Sequence, residues 1–444
     1  TYECARMAVA HFDLYRLNAP EELDELGLDL ALKHGIALIE WPERAGGTLP
    51  HDRLDVLLED EGEETTRRIT LTGHGAWGER LERLMALRTL TARAGMDGAG
   101  CRLRYLQGDA SVRRYGRIVC DGRAGAVLMD WARQPDGPAI RNGLPYSRIA
   151  HLAEDVRPFV AVAETLRGMG LSVPQIAAHD LDNGLLVLED LGDRVLGREV
   201  EAGSGRQPEM WRAAVDVLVA LAGTSPPQEL PLPDGSAHSL PVYDEGAFSI
   251  EVELVPDWYW PALHGTQVPA AARAEFIEIW GDIFERLGAM PKGWVLRDYH
   301  SPNLLWLPER EGIARIGVID FQDAMRGPPA YDLVSLLQDA RVDVPPELEA
   351  ELREHYCAGV KRAFPQFDRD AFDFAYAALG AQRNTKILGI FARLAKRDGK
   401  PGYLRHVPRL WRYLERDLAH PELKPLKGWY DRHMPADARA GLAA

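Results

Sequence analysis

The chain has 444 residues, 46% hydrophobic and 27% charged, with a formal net charge of −15; this length predicts two or three folded units of ordinary globular composition. The acidic balance excludes broad adhesion to nucleic acid or an anionic membrane. No window approaches the roughly 18 apolar residues of a membrane span and no basic-then-apolar leader opens the chain, so a cytoplasmic protein without membrane contact is expected.

In chain order, residues 1–75 alternate short apolar runs with turns. Residues 6–14 read as a strand, 20–26 as a short acidic helix, 36–39 as a buried strand, and 54–59 and 68–71 as two more. Residues 75–91 carry apolar side chains at helical spacing, and the small-residue run 94–101 (AGMDGAGC) reads as a linker. Strand-like segments follow at 102–106, 115–119 and 126–129, then an amphipathic helix at 158–168 and a strand at 184–189. From 208 onward the pattern is mostly helical, broken by a Pro-rich loop (225–241) and by one strand–loop–strand. No internal repeat is visible. The four cysteines, Cys4, Cys101, Cys120 and Cys357, are scattered with no CxxC pair. That predicts reduced thiols, and neither a zinc site nor a disulfide scaffold. Position 1 is Thr rather than Met, from which we expect an N-terminal part to be missing.

The chemistry concentrates in RDYHSPN (297–303) and VIDFQD (318–323). Phosphoryl transfer needs an acceptor hydroxyl aimed at the γ-phosphate and charge neutralisation on the phosphate oxygens. Asp298 precedes Asn303 by five residues, so on a tight loop the carboxylate meets the substrate while the amide turns back towards metal. Asp320 follows an apolar strand, where a second carboxylate suits magnesium. A lone DxxxxN is weak, because such acids usually cap turns or lie solvated. With VIDFQDA and then YDLVSLL (331–337) in this order, accident is improbable.

LRDYHSPNLLWL with GVIDFQDAMRGPPAYDLVSLLQDAR resembles the catalytic core of aminoglycoside-phosphotransferase-like kinases. In QGDASVRRYGR, RDYHSPN and IDFQDA the detail is most similar to bacterial kinases that phosphorylate N-acetylmuramate and N-acetylglucosamine at the anomeric hydroxyl in cell-wall recycling. The resemblance covers about residues 100–430. It implies an α+β, protein-kinase-like two-lobed fold, with a β-rich N-lobe at 101–192 and a helical C-lobe at 193–444. It also implies ATP as co-substrate, Mg²⁺ as cofactor and an amino sugar as acceptor. Asp298 would be the catalytic base, Asn303 and Asp320 the magnesium ligands, and Asp332 a support of the loop, while Asp323 would reach a second metal or the substrate. Two positions depart from the pattern. Leu296 stands where the family has His, and Met129 stands about where it has the phosphate-pairing Lys. That role falls open to Arg113 or Arg114, and the cation stays unassigned.

In the loop GDASVRRY (108–115), Gly108 permits close backbone approach, Ser111 can donate to a phosphate, and Arg113 and Arg114 supply charge. A β-turn with a solvated Arg pair is the plainer reading. Glu164 is expected to partner the phosphate-gripping cation, against the alternative of a surface carboxylate. Glu189 and Leu191 resemble the adenine-contacting hinge. For the acceptor, Glu253, Asp257 and Trp258 offer acceptors and a stacking face, against core packing for the aromatics. Arg383, with Asn384 and Arg393 on the same helix, would help close the pocket, or lie on a solvated basic helix.

Residues 1–75 form a separate module, joined by a connecting helix and linker at 76–100. HFDLYRL (11–17), PEELDELGL (20–28) and the IEWPE segment resemble the second half of the TsaE-type ATPase of bacterial tRNA threonylcarbamoyladenosine synthesis. The resemblance implies a nucleotide–magnesium site at Asp13 and Glu40, with Trp41 beside it, and contact with protein partners of the tRNA-modification machinery. No GxxxxGK[ST] occurs in the chain, so a partial P-loop-type α/β module without its phosphate cradle is expected. Its unpaired strand edges call for covering, for instance in a dimer. Two alternatives accompany the kinase reading: a tRNA-modification assembly factor, and a pseudokinase that binds nucleotide without transfer.

Overall fold

The computed structural model describes all residues except 1, 5–6, 18, 61, 63–65, 107–112, 440–441 and 443–444. The chain divides into two compact units, Thr1–Thr89 and Leu90–Ala444.

In the first unit, β1 (Tyr2–Cys4), β2 (Met7–Asp13) and β3 (Gly35–Glu40) form one sheet in that order, with β2 and β3 parallel. A parallel pair needs a crossover, here the 3₁₀ segment Pro20–Leu26 and helix α1 (Leu28–His34). The core this closes is small. Leu14, Leu23, Leu28 and Ala45 are buried, whereas Ile36 and Leu38 on alternate positions of β3 are exposed. β4 (Arg53–Asp60) and β5 (Arg67–His74) pair as an antiparallel hairpin that leaves Val56, Leu57, Leu58 and Ile69 exposed. Helix α2 (Ala76–Arg93) contains the boundary between the units.

The second unit opens with β6 (Cys101–Leu106), β7 (Arg114–Cys120) and β8 (Ala126–Asp130) and continues with β9 (Ile176–Asp180) and β10 (Leu185–Glu189). They make one antiparallel sheet in the order β9-β10-β8-β7-β6. β10, second in the sheet, buries Leu185 to Leu188 in an unbroken apolar run. Helix α3 (Arg157–Gly168) starts with Pro158, tolerated in a first turn whose N–H groups lack intrahelical acceptors. It buries Phe159, Val160, Val162 and Leu166. The register of β6 and β7 sets Cys101 opposite Cys120, and a disulfide joins them. This corrects the expectation of four reduced thiols, because strand register rather than sequence spacing brings the pair together. Cys357 is free and buried.

The helical lobe runs α4 (Gln207–Ala222), α5 (Glu245–Val252) and α6 (Ala270–Gly288). Two short antiparallel pairs follow, β11 (Gly293–Val295) with β14 (Met325–Gly327), and β12 (Leu304–Trp306) with β13 (Ile316–Val318). Helices α7 (Ala330–Leu337), α8 (Pro346–Ala363), α9 (Arg369–Arg397) and α10 (Val407–Asp417) complete the element order used here. α7 is buried along its whole length, Asp332 and Ser335 included. α9, with 29 residues, is about 44 Å long, and Asp368 caps it by accepting from the Ala371 N–H at 3.0 Å. Gly389 lets α9 approach Leu254, whose Cβ would lie 2.4 Å from any Cβ added there. A sheet-and-helix lobe followed by a helical lobe is a protein-kinase-like architecture. Among the described residues no helix is long and apolar enough to cross a membrane.

Candidate active site

The loop 296–303 leaves β11 and is clamped from α7. Arg297 adopts φ +71°, a left-handed conformation that costs a non-glycine residue about 1–3 kcal/mol. Asp332 holds it there, accepting from the Leu296 N–H at 2.6 Å and the Arg297 N–H at 2.9 Å. Burial pushes the Asp332 carboxyl up to about 7, against the pull of those two donors. Asp339 takes the Ser301 N–H at 2.8 Å further along the loop. The loop is thus positioned by two buried carboxylates, and Leu296, at the departed position, packs into the core.

Asp298, Asn303 and Asp320 converge. The Asn303 amide nitrogen donates to the Asp298 carbonyl at 3.0 Å and lies 3.4 Å from the Asp320 carboxylate. Asp320 itself has φ +64° and accepts from the Gln322 amide at 3.1 Å. The Asn303 nitrogen is anchored between these two acceptors, which leaves its oxygen available as a ligand, and the buried Gln322 Oε1 has no partner among the described residues. Hard oxygen donors of this kind fit Mg²⁺. Burial opposes ionisation of Asp298, but His300, Lys386, Arg297 and Arg383 together outweigh it and hold its carboxyl below the usual range. Asp323 accepts from the Ala153 N–H at 2.6 Å, and burial raises its carboxyl despite Arg297.

The cation that the sequence left unassigned has a structural candidate. Arg113 reaches Asp320 at 2.7 Å, and its guanidinium stands 5.1 Å over the Trp131 ring. Arg114 is exposed on β7, and Met129 is buried in the core. Gly108 and Ser111 lie outside the described residues. The Glu189 side chain binds Arg310 at 2.7 Å, and Leu191 packs over Gly317 on the strand leading to Asp320.

Four of the expected site residues are engaged with the protein itself. Glu164 pairs with Arg167 on its own helix at 3.3 Å and is 40% exposed, so among the described residues its partner is a neighbour one turn on. Glu253 spends both oxygens on Arg141 (2.6 Å) and Arg273 (2.8 Å), and Asp257 binds the same Arg273 at 2.5 Å. Those carboxylates tie elements together, and Trp258 packs against the core. Arg383, by contrast, is 5% exposed on α9 and close enough to Asp298 to depress its carboxyl.

The sequence reading missed Glu251. Fully buried on α5, it accepts from Arg297, Tyr243, Lys386 (2.7 Å) and Gln382 (2.9 Å). Lys386 and Arg297 overcome the effect of burial and pull its carboxyl to about 2. An acid amid the apolar run AFSIEV is the signal that would have flagged it, since a buried charge demands partners.

In the first unit, Asp13 and Glu40 face each other in register at the ends of the parallel strands. His11 contacts Glu40 at 3.2 Å. Asp13 accepts from the Tyr15 N–H at 3.0 Å. Trp41 follows in a left-handed conformation, 5.2 Å from the Tyr15 ring.

The model of the phosphotransferase enzyme family matches residues 102–375, and that of the threonylcarbamoyl adenosine biosynthesis protein TsaE matches residues 1–69. An N-acetylmuramate/N-acetylglucosamine kinase of Caulobacter vibrioides is 43% identical over 343 residues, 75% of this chain and 92% of its own length. A protein of the same description from Pseudomonas aeruginosa is 38% identical, covering 72% of this chain and 84% of its own. The tRNA threonylcarbamoyladenosine biosynthesis protein TsaE of Rickettsia bellii is 44% identical over 64 residues, 14% of this chain and 44% of that protein.

Proposed function

Because the chain belongs to the phosphotransferase enzyme family, we propose that it transfers the γ-phosphoryl group of ATP to the anomeric hydroxyl of N-acetylmuramate or N-acetylglucosamine, a reaction of cell-wall recycling in the cytoplasm. The observation that carries this is the near-complete span of relatives named for those sugars, joined to the convergence of Asp298, Asn303 and Asp320. Asp298, ionised at neutral pH, orients the acceptor hydroxyl and takes its proton as the oxygen bonds to phosphorus and ADP departs. Asn303 and Asp320 would hold Mg²⁺, which supplies charge neutralisation on the phosphate oxygens. Arg113 steadies the same phosphates once it exchanges its Asp320 partner for them. Asp323 and Arg383 line the acceptor side. Glu189 and Leu191 border the adenine, and the phosphate contacts expected of Gly108 and Ser111 fall outside the described residues.

The test is purified protein with ATP, Mg²⁺ and each sugar, read by ³¹P NMR. An anomeric sugar phosphate appearing at the rate of ADP formation supports the reading, and ADP release without a sugar phosphate sinks it. Met129, buried where a lysine is expected, favours a second reading, nucleotide binding without transfer. Tight ATP binding with no product across amino sugars and aminoglycosides would establish that one. Residues 1–75 we read as half of a TsaE-like module that contacts tRNA-modification proteins or a second copy of the chain.

A further inference from the structure

α9 presents Arg383, Lys386 and Arg393 within one arc of the helix, at positions i, i+3 and i+10. Over ten residues the helix rises about 15 Å, so Arg383 and Arg393 bracket a stretch long enough for one hexose, with Lys386 between them. The three are not equivalent. Lys386 is bound to Glu251 at 2.7 Å. Neither arginine has a carboxylate within 4 Å among the described residues, and Arg383 Nη1 and Arg393 Nε are buried without a hydrogen-bond partner. Buried donors left unmatched cost stability, which points to a ligand that satisfies them.

The two ends differ in surroundings. Arg383 belongs to the reacting end, where its charge acts on Asp298. Arg393 belongs to the far end, its guanidinium 5.8 Å over the Tyr146 ring. Tyr146 comes from the segment between β8 and α3, which docks on the helical lobe through Arg141 to Glu253 and through the Ala150 carbonyl to Arg297. It also lines a cavity of about 480 Å³ together with Asp323 and Arg113. Burial keeps the Tyr146 phenol protonated, so its hydroxyl is a donor. Burial also disfavours the Arg393 cation, a cost that an anion would relieve.

We propose that Arg393, with the Tyr146 hydroxyl, receives the carboxylate of an anionic amino sugar whose reacting hydroxyl lies at Asp298. This rests on the amino-sugar reading above and sharpens it: the acidic acceptor is preferred over the neutral one, and Arg393 is the residue that makes the difference. Arg is suited to the task because its planar fork meets a carboxylate through two donors.

The experiment compares kcat/KM for N-acetylmuramate and N-acetylglucosamine in wild type, Arg393→Gln, Arg393→Lys and Tyr146→Phe. Arg393→Gln should lower the acid-to-neutral ratio about 10- to 100-fold, chiefly through KM, with Arg393→Lys recovering part of the loss and Tyr146→Phe showing a smaller loss. The methyl ester of N-acetylmuramate, assayed on wild type, needs no altered fold and should fall to the level of the neutral sugar. An unchanged ratio in Arg393→Gln, or an ester as good as the acid, overturns the assignment while leaving the kinase reading intact. Wild type that phosphorylates neither sugar overturns both.

Discussion

Both units place two acidic side chains together, yet the surroundings differ. In the first unit Asp13 and Glu40 sit at the ends of two strands over a core of Leu14, Leu23, Leu28 and Ala45, and the Glu40 side chain is 62% exposed. In the second, Asp298 rises from a loop whose backbone is held by Asp332 and Asp339, on and just after a helix buried along its whole length, and Asp320 stands beside Asn303 of that loop. The lesson is that the supporting layer, more than the pair of carboxylates, separates the two arrangements. Precise positioning comes from groups that never touch the substrate.

The comparison breaks most sharply at Asp298. Asp298→Asn keeps the shape and removes the base, so kcat should fall about 10³-fold with the melting temperature unchanged. A variant retaining a tenth of wild-type turnover would remove Asp298 from the chemistry. The next effect is on stability. The Cys101–Cys120 disulfide closes a loop with a sequence separation of 19, which on chain entropy contributes about 3 kcal/mol. Reductant should therefore lower the unfolding midpoint of wild type but leave a Cys101→Ser/Cys120→Ser double variant unmoved. Equal responses would mean the bond does not form in solution.

A smaller effect is expected at Asp332. Asp332→Asn turns one acceptor into a donor facing a backbone N–H, costing about 1–3 kcal/mol and loosening the loop. Its pH signature distinguishes it from general damage. The folded carboxyl titrates near 7, above its ordinary 3.8, so the fold binds that proton more tightly than the unfolded chain does. Its contribution is therefore present below 3.8 and lost as pH rises through about 7. Glu251, pulled down from 4.5 to about 2, runs the other way: its contribution is present above 4.5 and lost as pH falls towards 2. Urea unfolding of wild type and Asp332→Asn at pH 5 and pH 8 should show the variant's relative deficit shrinking at the higher pH. A constant deficit would refute the titration.

The parts legible in sequence are the local ones. RDYHSPN and VIDFQD carry their chemistry within seven and six residues, and the short strand leading into Asp320 carries no polar side chain, so loop, strand and acid could be read together. The choice of Arg113 over Arg114 could not, because it depends on the direction each side chain takes where the chain enters β7. Glu253 and Asp257 read as sugar ligands because acids beside tryptophans look alike whether they meet substrate or Arg273. Glu251, Arg297 and Lys386 come from α5, the catalytic loop and α9, and only packing joins them. The cysteine pair likewise follows from strand register.

The smallest effect expected is at the other acidic pair. Asp13→Asn with Glu40→Gln removes both carboxylates from the parallel strand ends, where nucleotide sites of open α/β sheets lie. The chain has no GxxxxGK[ST] segment to cradle phosphates beside them, and among the described residues the pair is engaged with His11 and the Tyr15 backbone. Sugar phosphorylation should therefore stay within about twofold of wild type, since surface substitutions away from supported features change little. If turnover instead fell tenfold, the first unit would be part of the kinase's working machinery, and the contrast between a supported site and an exposed acidic pair would have to be redrawn.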